Sequence, residues 1–338
     1  MKNIFKNPFK VFFPRKVVGV DIGTSAIKLV ELSVWGETKK LENYGEIKSK
    51  FLYKEPSLNE KSSNILSTDI ISKAIRAILE EARIKTKAVT FSISDFSTFC
   101  TSFDIPPMTE KEIATAIRYN AAQYITLPIT EVTLDWRVMP LSLGSKNSSL
   151  KVFLVAVPNQ VIQEYQIIAK KAGLDLYSLE AEVFGITRAL VKDNKKTICL
   201  TDIGVQSSTI NIVDKGFIKR SYSFNFDSNQ LTRSVSSVLG LRYDQAEEIK
   251  NKEGINSSRS DIVTTLRSLV EPLLMEIKTI SAEFFQQEQC KELFEQELCV
   301  FFFEHDEKLL LLYFYILVQG LELILFVFLY LALENSWV

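Results

Sequence analysis

The sequence predicts an α/β fold built from two similar halves, with a small α+β subdomain inserted in the first half. A buried strand, a tight turn and a return strand occur near residue 17 and again near residue 197, and helices follow each copy. This internal repeat has a period of about 180 residues. The length of 338 residues is sufficient for about two domains of roughly 150 residues each.

Alternating apolar and polar residues predict the strands, and apolar residues at helical spacing predict the helices. The expected strands lie at 17–22, 26–33, 88–105 (two short strands), 132–138, 151–157, 176–180, 197–201, 208–213 and 217–224. The expected helices lie at 69–83, 109–124, 160–172, 182–191, 229–239, 243–251 and 258–287. Thr109 and Glu112 fit a capping box at the start of the second helix, and Gly173 fits the end of the third.

Composition and charge argue against several classes of function. Hydrophobic residues make up 46% and charged residues 24% of the chain, as in an ordinary globular protein. The net charge of -1 gives no indication of a nucleic-acid partner. A zinc site needs clustered cysteine and histidine ligands, and a nucleophilic triad needs a histidine. Neither is expected, because the single histidine and the cysteines are scattered: His305, Cys100, Cys199, Cys290 and Cys299.

Residues 1–16 are basic and contain no acidic residue. Lysines and prolines interrupt this segment, so it does not have the apolar core of a secretory signal. We interpret it as a flexible basic leader. Its phenylalanines, interleaved with lysines, also fit peripheral contact with a membrane surface.

The first hairpin contains Asp21-Ile22-Gly23-Thr24-Ser25. Backbone N–H groups of such a tight turn can converge on phosphate oxygens, and Gly23 allows close approach because it has no Cβ. Thr24 and Ser25 add hydroxyl donors, and Lys28 on the return strand can neutralise phosphate charge. A carboxylate at Asp21 is best explained by a magnesium ion bound through its waters.

The second hairpin repeats this pattern with Asp202-Ile203-Gly204, again at the end of a strand, followed by Ser207, Ser208 and Thr209. One such motif occurs in many ordinary β-turns, but two copies, one opening each half, predict a polyphosphate gripped from both sides. For Ser207 and Thr209, simple turn chemistry remains an alternative.

The segment Val18–Leu32 resembles the opening of PilM-like proteins, which are FtsA-like components of type IV pilus machinery in the actin/Hsp70/sugar-kinase superfamily. The resemblance extends over about residues 17–285, through further blocks in the same order: Ile105–Glu112, Ala116–Tyr119, Gln123–Ile125, Pro128, Glu131-Val132, Leu134-Asp135, Val155–Pro158, Ala172–Leu174, Glu180–Gly185 and Arg188–Leu190. It implies actin-like, duplicated ribonuclease-H-like domains. The implied organisation is a first domain at 17–87 and 158–193, an inserted small subdomain at 88–157 and a second domain at 194–289.

The resemblance also implies ATP and Mg²⁺ as ligands. The matching first-loop residues are Asp21, Gly23, Thr24, Ser25 and Lys28, and the second-loop residues are Asp202, Gly204, Ser207, Ser208 and Thr209. The implied role is a cytoplasmic scaffold at the inner membrane, with weak or no ATPase activity. Its main partner would be the tail of a PilN-like protein in a groove of the small subdomain, and other pilus platform and motor proteins would be further partners. The alternatives are an FtsA-like division protein and a sugar-kinase-type phosphotransferase.

Residues 290–338 depart from the family pattern, which normally contains a Gly-Gly-rich adenosine loop near its end. Between residues 309 and 333 the one charged residue is Glu322, and this stretch is long enough to cross a bilayer. Three interpretations follow: a membrane segment, a divergent part of the core, or a change of reading frame. The abrupt change of composition favours the last.

Overall fold

The computed structural model describes residues 15–24, 26–36, 38–48, 67–138, 149–190, 197–204, 208–214, 216–224, 226–254, 257–287, 299–304, 315–318 and 321–326. In chain order they form β1 (Arg15–Ile22), β2 (Ala26–Trp35), β3 (Thr38–Lys48), α1 (Thr68–Glu81), β4 (Ala88–Ile93), β5 (Phe99–Ile105), α2 (Glu110–Ala121), β6 (Val132–Val138), β7 (Leu150–Pro158), α3 (Asn159–Ala172), β8 (Asp175–Ala181), α4 (Glu182–Leu190), β9 (Thr197–Ile203), β10 (Ser208–Asp214), β11 (Phe217–Phe224), α5 (Ser228–Leu239), α6 (Tyr243–Glu253), α7 (Ser260–Gln287), β12 (Cys299–Glu304), β13 (Tyr315–Val318) and β14 (Leu321–Phe326).

The chain divides into two compact units. The first unit comprises Met1–Thr98 and Val157–Gly185, and the second comprises Phe99–Ala156 and Ile186–Val338.

The first unit contains a five-stranded sheet in the order β3-β2-β1-β4-β8. Strands β1, β2 and β3 are antiparallel neighbours, and β4 and β8 extend the sheet in the direction of β1. Alternate residues such as Val20, Leu29 and Phe91 form one face and pack against Ile75 of α1 and Ile168 of α3. The sequence did not predict β3. This edge strand is largely exposed, so it lacks a clear apolar alternation.

A three-stranded sheet in the order β5-β7-β6, with helix α2 against it, forms the predicted small α+β subdomain. The capping box is present, because the Thr109 N–H and hydroxyl both donate to Glu112 Oε2, at 2.9 and 2.8 Å. We expected this subdomain to begin at residue 88. Instead β4 pairs with β1, so residues 88–93 lie in the first sheet and the small sheet begins at Phe99.

The second unit contains a six-stranded sheet in the order β11-β10-β9-β12-β14-β13. As in the first unit, three antiparallel strands are followed by a parallel strand, here β12 beside β9. Ile210 and Ile212 pack against Leu231 of α5 and against Ile262 and Ile277 of α7. The predicted duplication is therefore present in the strand order. The small subdomain contacts β11 of this sheet, where the Ser102 hydroxyl donates to the Lys219 carbonyl at 2.9 Å.

The described residues after position 290 are the strands β12, β13 and β14. Of these strands, β12 pairs with β9, β14 pairs with β12, and β13 pairs with β14. Among the residues that the structure describes, no helix is long and apolar enough to span a membrane. The remainder of 290–338, and the leader at 1–14, lie outside the described residues.

Candidate functional site

The first hairpin, defined as Asp21–Lys28, joins β1 to β2. Asp21 lies directly opposite Lys28, and Ile22 lies opposite Ile27. The Gly23 N–H donates to the Ala26 carbonyl at 3.0 Å and closes the turn. This N–H is therefore used within the turn, so Gly23 can offer a ligand only the absence of a Cβ and not this donor. A Cβ placed on Gly23 would lie 3.1 Å from the Ala26 oxygen and 3.8 Å from Asp21 Oδ2.

The other predicted residues of this hairpin differ in accessibility. Thr24 is exposed at the tip of the turn, and Lys28 is half-buried on the same face as Asp21. Ser25 lies outside the described residues. The turn thus brings Asp21, Thr24 and Lys28 to one end of the sheet, with Gly23 between them.

The second hairpin, defined as Asp202–Thr209, joins β9 to β10 with the same register. Asp202 lies opposite Thr209, and Ile203 lies opposite Ser208. The Gly204 carbonyl accepts a hydrogen bond of 3.0 Å from the Ser228 N–H at the start of α5, which ties this turn to the helical layer. Ser207 lies in the segment 205–207, outside the described residues.

Ser208 and Thr209 lie on opposite faces of the second sheet, because successive strand residues alternate. Thr209 shares the face of Asp202, and it accepts a hydrogen bond from Asn211 Nδ2 at 3.3 Å. Ser208 faces the side of Ile210 and Ile212, is 1% exposed, and its hydroxyl makes no hydrogen bond within the described residues. The two hydroxyls that the sequence grouped together are therefore separated by the sheet.

Strand pairing extends each hairpin into a row of polar residues. In the first sheet, Lys28 lies opposite Glu46 as well as Asp21, Asp21 lies beside Ser92, and Ser92 lies beside Glu180. We call these residues the first polar row. The next pair on the same face, Thr90 and Ser178, confirms the alignment, since their hydroxyl oxygens are 2.8 Å apart. In the second sheet, Ser223, Thr209 and Asp202 form the second polar row.

Ser92 and Glu180 were not among the residues predicted for the site. Both lie near the carboxyl ends of strands that run parallel to β1, the edge at which ligands of α/β sheets bind. With neighbouring strands about 4.8 Å apart, Asp21 and Glu180 are separated by about 10 Å across the sheet. The sequence shows that polar residues lie at these strand ends, but only the strand pairing shows that they align with Asp21.

Tyr165 of α3 packs against the core of the first sheet, and its ring centroid lies 5.4 Å from that of Phe91. Burial raises the pKa of its hydroxyl, and the negative charges of Asp21, Glu182 and Glu164 raise it further. This hydroxyl remains protonated at neutral pH. Burial likewise raises the pKa of the Cys199 thiol on β9 to about 12, so that thiol is not ionised near the second hairpin.

The second unit also contains a partly buried ion pair that was not predicted from the sequence. Lys250 is 1% exposed, and its Nζ lies 3.0 Å from Glu247 Oε1 on the same helix. Thr232 of α5 donates its hydroxyl proton to Glu247, and Asn251 Nδ2 donates at 3.4 Å. Opposite charges at this spacing are common on exposed helix faces, so the sequence could not show that Lys250 is buried.

The hairpins fit a hydrated magnesium ion on a polyphosphate better than a metal held by protein ligands alone. Within the described ranges there is no group of three or more acidic, histidine or cysteine side chains that could hold a metal. Each hairpin instead offers one carboxylate beside a tight turn, and magnesium commonly binds through one or two carboxylates, several waters and substrate phosphates. A Cβ at Gly23 would lie 3.1 Å from the Ala26 oxygen, so the turn itself accounts for glycine at this position.

Comparison with curated proteins gives distant relatives. The chain is 21% identical over 259 residues to the cell division protein FtsA of Pseudomonas aeruginosa, covering 70% of this chain and 60% of FtsA. It is 22% identical over 267 residues to FtsA of Neisseria meningitidis serogroup B, covering 72% of this chain and 62% of that protein. The chain thus spans about three fifths of the length of these curated relatives.

Comparison with solved structures supports the predicted actin-like α/β fold. A structure described as a PilM-PilN type IV pilus biogenesis complex matches with a TM-score of 0.68 and 22% identity, covering 86% of this chain and 81% of that one. The ethanolamine utilization protein EutJ of Carboxydothermus hydrogenoformans matches with a TM-score of 0.50 and 16% identity, covering 86% and 76%. A family model described as type IV pilus assembly protein PilM matches residues 19–296. The chain therefore belongs to the PilM family of type IV pilus assembly proteins.

Proposed function

We propose that this chain is an ATP-binding scaffold of the inner-membrane assembly platform of the type IV pilus, or of a related type II secretion system. The observation that carries the proposal is the pair of hairpins with one shared register in a chain of the PilM family. Each hairpin places a carboxylate opposite a side chain that can donate a hydrogen bond to phosphate. This side chain is Lys28 in the first hairpin and Thr209 in the second. A carboxylate opposite such a donor suits a nucleotide that carries its own magnesium ion.

In this proposal Asp21 and Asp202 accept hydrogen bonds from the waters of the magnesium ion. Thr24, Lys28 and Thr209 donate to phosphate oxygens, and Gly23 leaves room for them. The nucleotide supplies the negative charge that makes these donors favourable. Glu180 is the acidic residue placed to orient a water molecule if ATP is hydrolysed, and we expect hydrolysis to be weak or absent.

The proposed main partner is the cytoplasmic tail of a PilN-like inner-membrane protein. Family membership and the fold match to a complex described as PilM-PilN support this proposed partner. The small subdomain offers apolar surface for a peptide, since Tyr119 is 75% exposed and Tyr124 and Leu127 are also exposed. We place the protein in the cytoplasm at the inner face of the membrane, with other pilus platform and motor proteins as further partners.

The first experiment measures ATP and ADP affinity by calorimetry with magnesium and then with EDTA. Asp21→Ala and Asp202→Ala should each weaken magnesium-dependent binding by about tenfold or more, because each removes a charged acceptor. Glu283→Ala, which removes an exposed carboxylate from α7, is the matched control and should bind as the wild type does. Wild-type protein that binds no nucleotide, or binds it equally well with EDTA, would contradict the proposal.

The second experiment titrates a fluorescent peptide that carries the amino-terminal tail of a PilN-like protein. Tyr119→Ala should weaken binding of the peptide. Trp35→Ala is the control and should not, because Trp35 lies in the first unit, although it is also an exposed aromatic residue (62% exposed). Equal loss in both variants, or no binding to the wild type, would rule out this partner surface.

Two alternatives are favoured by specific observations. The similarity to FtsA favours a membrane-associated division protein, which should assemble into filaments with ATP in sedimentation and electron microscopy. The position of Glu180 in the first polar row favours a phosphotransferase of the sugar-kinase type. Fast turnover with a small-molecule acceptor that is lost in Glu180→Gln, with ATP affinity retained, would replace the scaffold proposal.

A further inference from the structure

The first sheet has a basic surface at the end opposite to the first hairpin. Strand β1 begins there at Arg15, and the turn between β2 and β3 lies beside it, since Val34 lies opposite both Arg15 and Lys39. The start of β4 lies at the same end, because β4 runs parallel to β1. The basic residues that the structure describes at this end are exposed, and we call them the basic end: Arg15, Lys16, Lys39, Lys40, Lys85 and Lys87.

The acidic residues near the basic end are mostly buried or hydrogen-bonded. Glu31 is 2% exposed, its oxygens accept hydrogen bonds from two neighbouring side chains, and Lys16 Nζ lies 3.6 Å from it. Glu42 is half-buried and accepts a hydrogen bond of 2.8 Å from a serine hydroxyl. Asp175 is exposed, and Glu37 lies outside the described residues. The charge that the described residues present to solvent here is therefore mainly positive.

Exposed apolar side chains accompany these basic residues. Trp35 in the turn after β2 is 62% exposed, Leu41 is 39% exposed and Tyr177 is 58% exposed. The guanidinium carbon of Arg15 lies 4.3 Å from the centroid of the Tyr177 ring, which places that ring beside the basic end. Exposed tryptophan, tyrosine and leucine next to lysine and arginine are typical of surfaces that lie on membranes. There the apolar groups enter the headgroup layer and the cations attract anionic lipids.

The amino-terminal leader joins the sheet at the same end, because β1 begins at Arg15. Residues 1–14 contain three lysines and four phenylalanines and no acidic residue. The leader therefore has the same combination of basic and aromatic residues as the surface that it adjoins. One weak membrane signal gives marginal binding, whereas two signals together give stable binding.

We propose that the basic end, together with Trp35, Leu41 and Tyr177, is a docking surface for a membrane that contains anionic phospholipids. The carboxylates of the first polar row lie at the opposite end of the sheet, so the charge distribution directs the basic end toward negative lipid. Because β1 has 8 residues, the first hairpin lies about 20 Å from this surface. The inference goes beyond the proposed nucleotide and peptide binding and requires neither.

The experiment sediments the full chain with vesicles of phosphatidylcholine alone and with vesicles of equal parts phosphatidylcholine and phosphatidylglycerol. The wild type should bind the anionic vesicles and be released as the salt concentration rises, since salt screens charge. Lys39→Glu/Lys87→Glu should weaken this binding by about twentyfold or more, because each basic residue near an anionic surface contributes about fivefold. Arg267→Glu/Lys278→Glu is the matched control. It makes the same change of charge at exposed positions of α7 in the second unit and should bind as the wild type does.

Trp35→Ala tests the apolar contribution. It should weaken binding to the anionic vesicles by about fivefold, because the exposed ring becomes buried among the lipid headgroups. Met275→Ala is the control, since Met275 is an apolar residue of α7 in the second unit and is 65% exposed. Brominated anionic lipid should quench the tryptophan fluorescence of the wild type more than that of Trp35→Phe. The melting temperature of each variant without vesicles shows that it is folded.

Equal binding of the wild type to both kinds of vesicle would overturn the inference, as would equal losses in the basic-end and α7 variants. Double-stranded DNA is the competing polyanion. If the basic-end variant loses binding to DNA and the wild type does not bind anionic vesicles, the surface binds nucleic acid instead. Calorimetry with magnesium ADP separates this inference from the proposed function. A wild type that binds magnesium ADP but no anionic vesicles overturns the docking surface alone, and the reverse result overturns nucleotide binding alone.

Discussion

In the first hairpin Asp21 lies opposite Lys28, whereas in the second hairpin the corresponding pair is Asp202 and Thr209. The backbone register is the same, but the side chains around each carboxylate differ. Lys28 lies between Glu46 and Asp21, and the first polar row continues to Glu180. The second polar row contains Ser223, Thr209 and Asp202, with neutral hydroxyls in place of the charged neighbours.

We propose that this difference reflects a division of roles in the proposed nucleotide binding. Carboxylates outnumber the single amine in the first polar row, so this row favours a divalent cation that can bridge carboxylate and phosphate. The hydroxyls of the second row can donate to phosphate oxygens without adding charge. Duplication has therefore kept the backbone register of the hairpin, whereas the side chains beside each carboxylate have diverged.

The hairpins also differ on the face that packs against the helices. Ile27 is 0% exposed and belongs to the core of the first sheet, whereas the corresponding residue of the second hairpin is Ser208, equally buried but polar. The first turn is closed by its own backbone, and the second is tied to α5 through Gly204 and Ser228. The first hairpin is thus fixed mainly by apolar packing, while the second has an additional hydrogen bond to the helical layer.

The greatest change in stability is expected from substituting the corresponding buried residues of the two hairpins, Ile27 and Ser208. Ile27→Ser removes a fully buried side chain and introduces a hydroxyl without a partner, so the free energy of unfolding should fall by about 4 kcal/mol. Ser208→Ala removes a hydroxyl that has no partner within the described residues and should change stability by less than about 1 kcal/mol. Urea unfolding followed by circular dichroism measures both. Similar losses in the two variants would show that the helix-facing positions are not different.

An intermediate effect is expected from the residues opposite the two aspartates. Lys28→Met should weaken magnesium ATP binding by about tenfold, because it removes a charged donor, and Thr209→Val should weaken it by about fivefold. Raising the salt concentration should reduce the effect of Lys28→Met and leave that of Thr209→Val nearly unchanged, since salt screens charge. Calorimetry at low and high salt measures this contrast. Equal salt dependence in both variants would remove the proposed division of roles.

The smallest effect tests the turn that the hairpins share. Gly23→Ala places a Cβ 3.1 Å from the Ala26 oxygen, a backbone atom that can move only with the turn, so we expect a loss of about 1 kcal/mol. Gly185→Ala is the control. This glycine lies inside α4 with nothing within 4 Å of the added Cβ, so alanine should stabilise the helix by about 0.5 to 1 kcal/mol. Thermal unfolding measures whether each variant is less or more stable than the wild type. A stabilising Gly23→Ala would show that the turn has more space than the structure indicates.

The local features of this protein could be predicted from its amino-acid sequence. Alternation and helical spacing identified the strands and helices around both hairpins, Thr109 and Glu112 identified a helix start, and the repeated Asp-Ile-Gly motif identified the duplication. These features depend on residues that are close in sequence, so their pattern is visible without a fold. The resemblance to PilM-like proteins was also visible, and the family match confirms it.

Which distant segments lie side by side became visible in the folded chain alone. Strand β4 belongs to the first sheet because it pairs with β1, from which α1 and two other strands separate it in the chain. The same kind of pairing aligns Glu180 with Asp21. Parallel pairing joins segments across long connections and shifts of one residue reverse every side chain, so no local pattern specifies it. The contact of Asn211 with Thr209 likewise depends on burial, which the whole sheet and its neighbours determine.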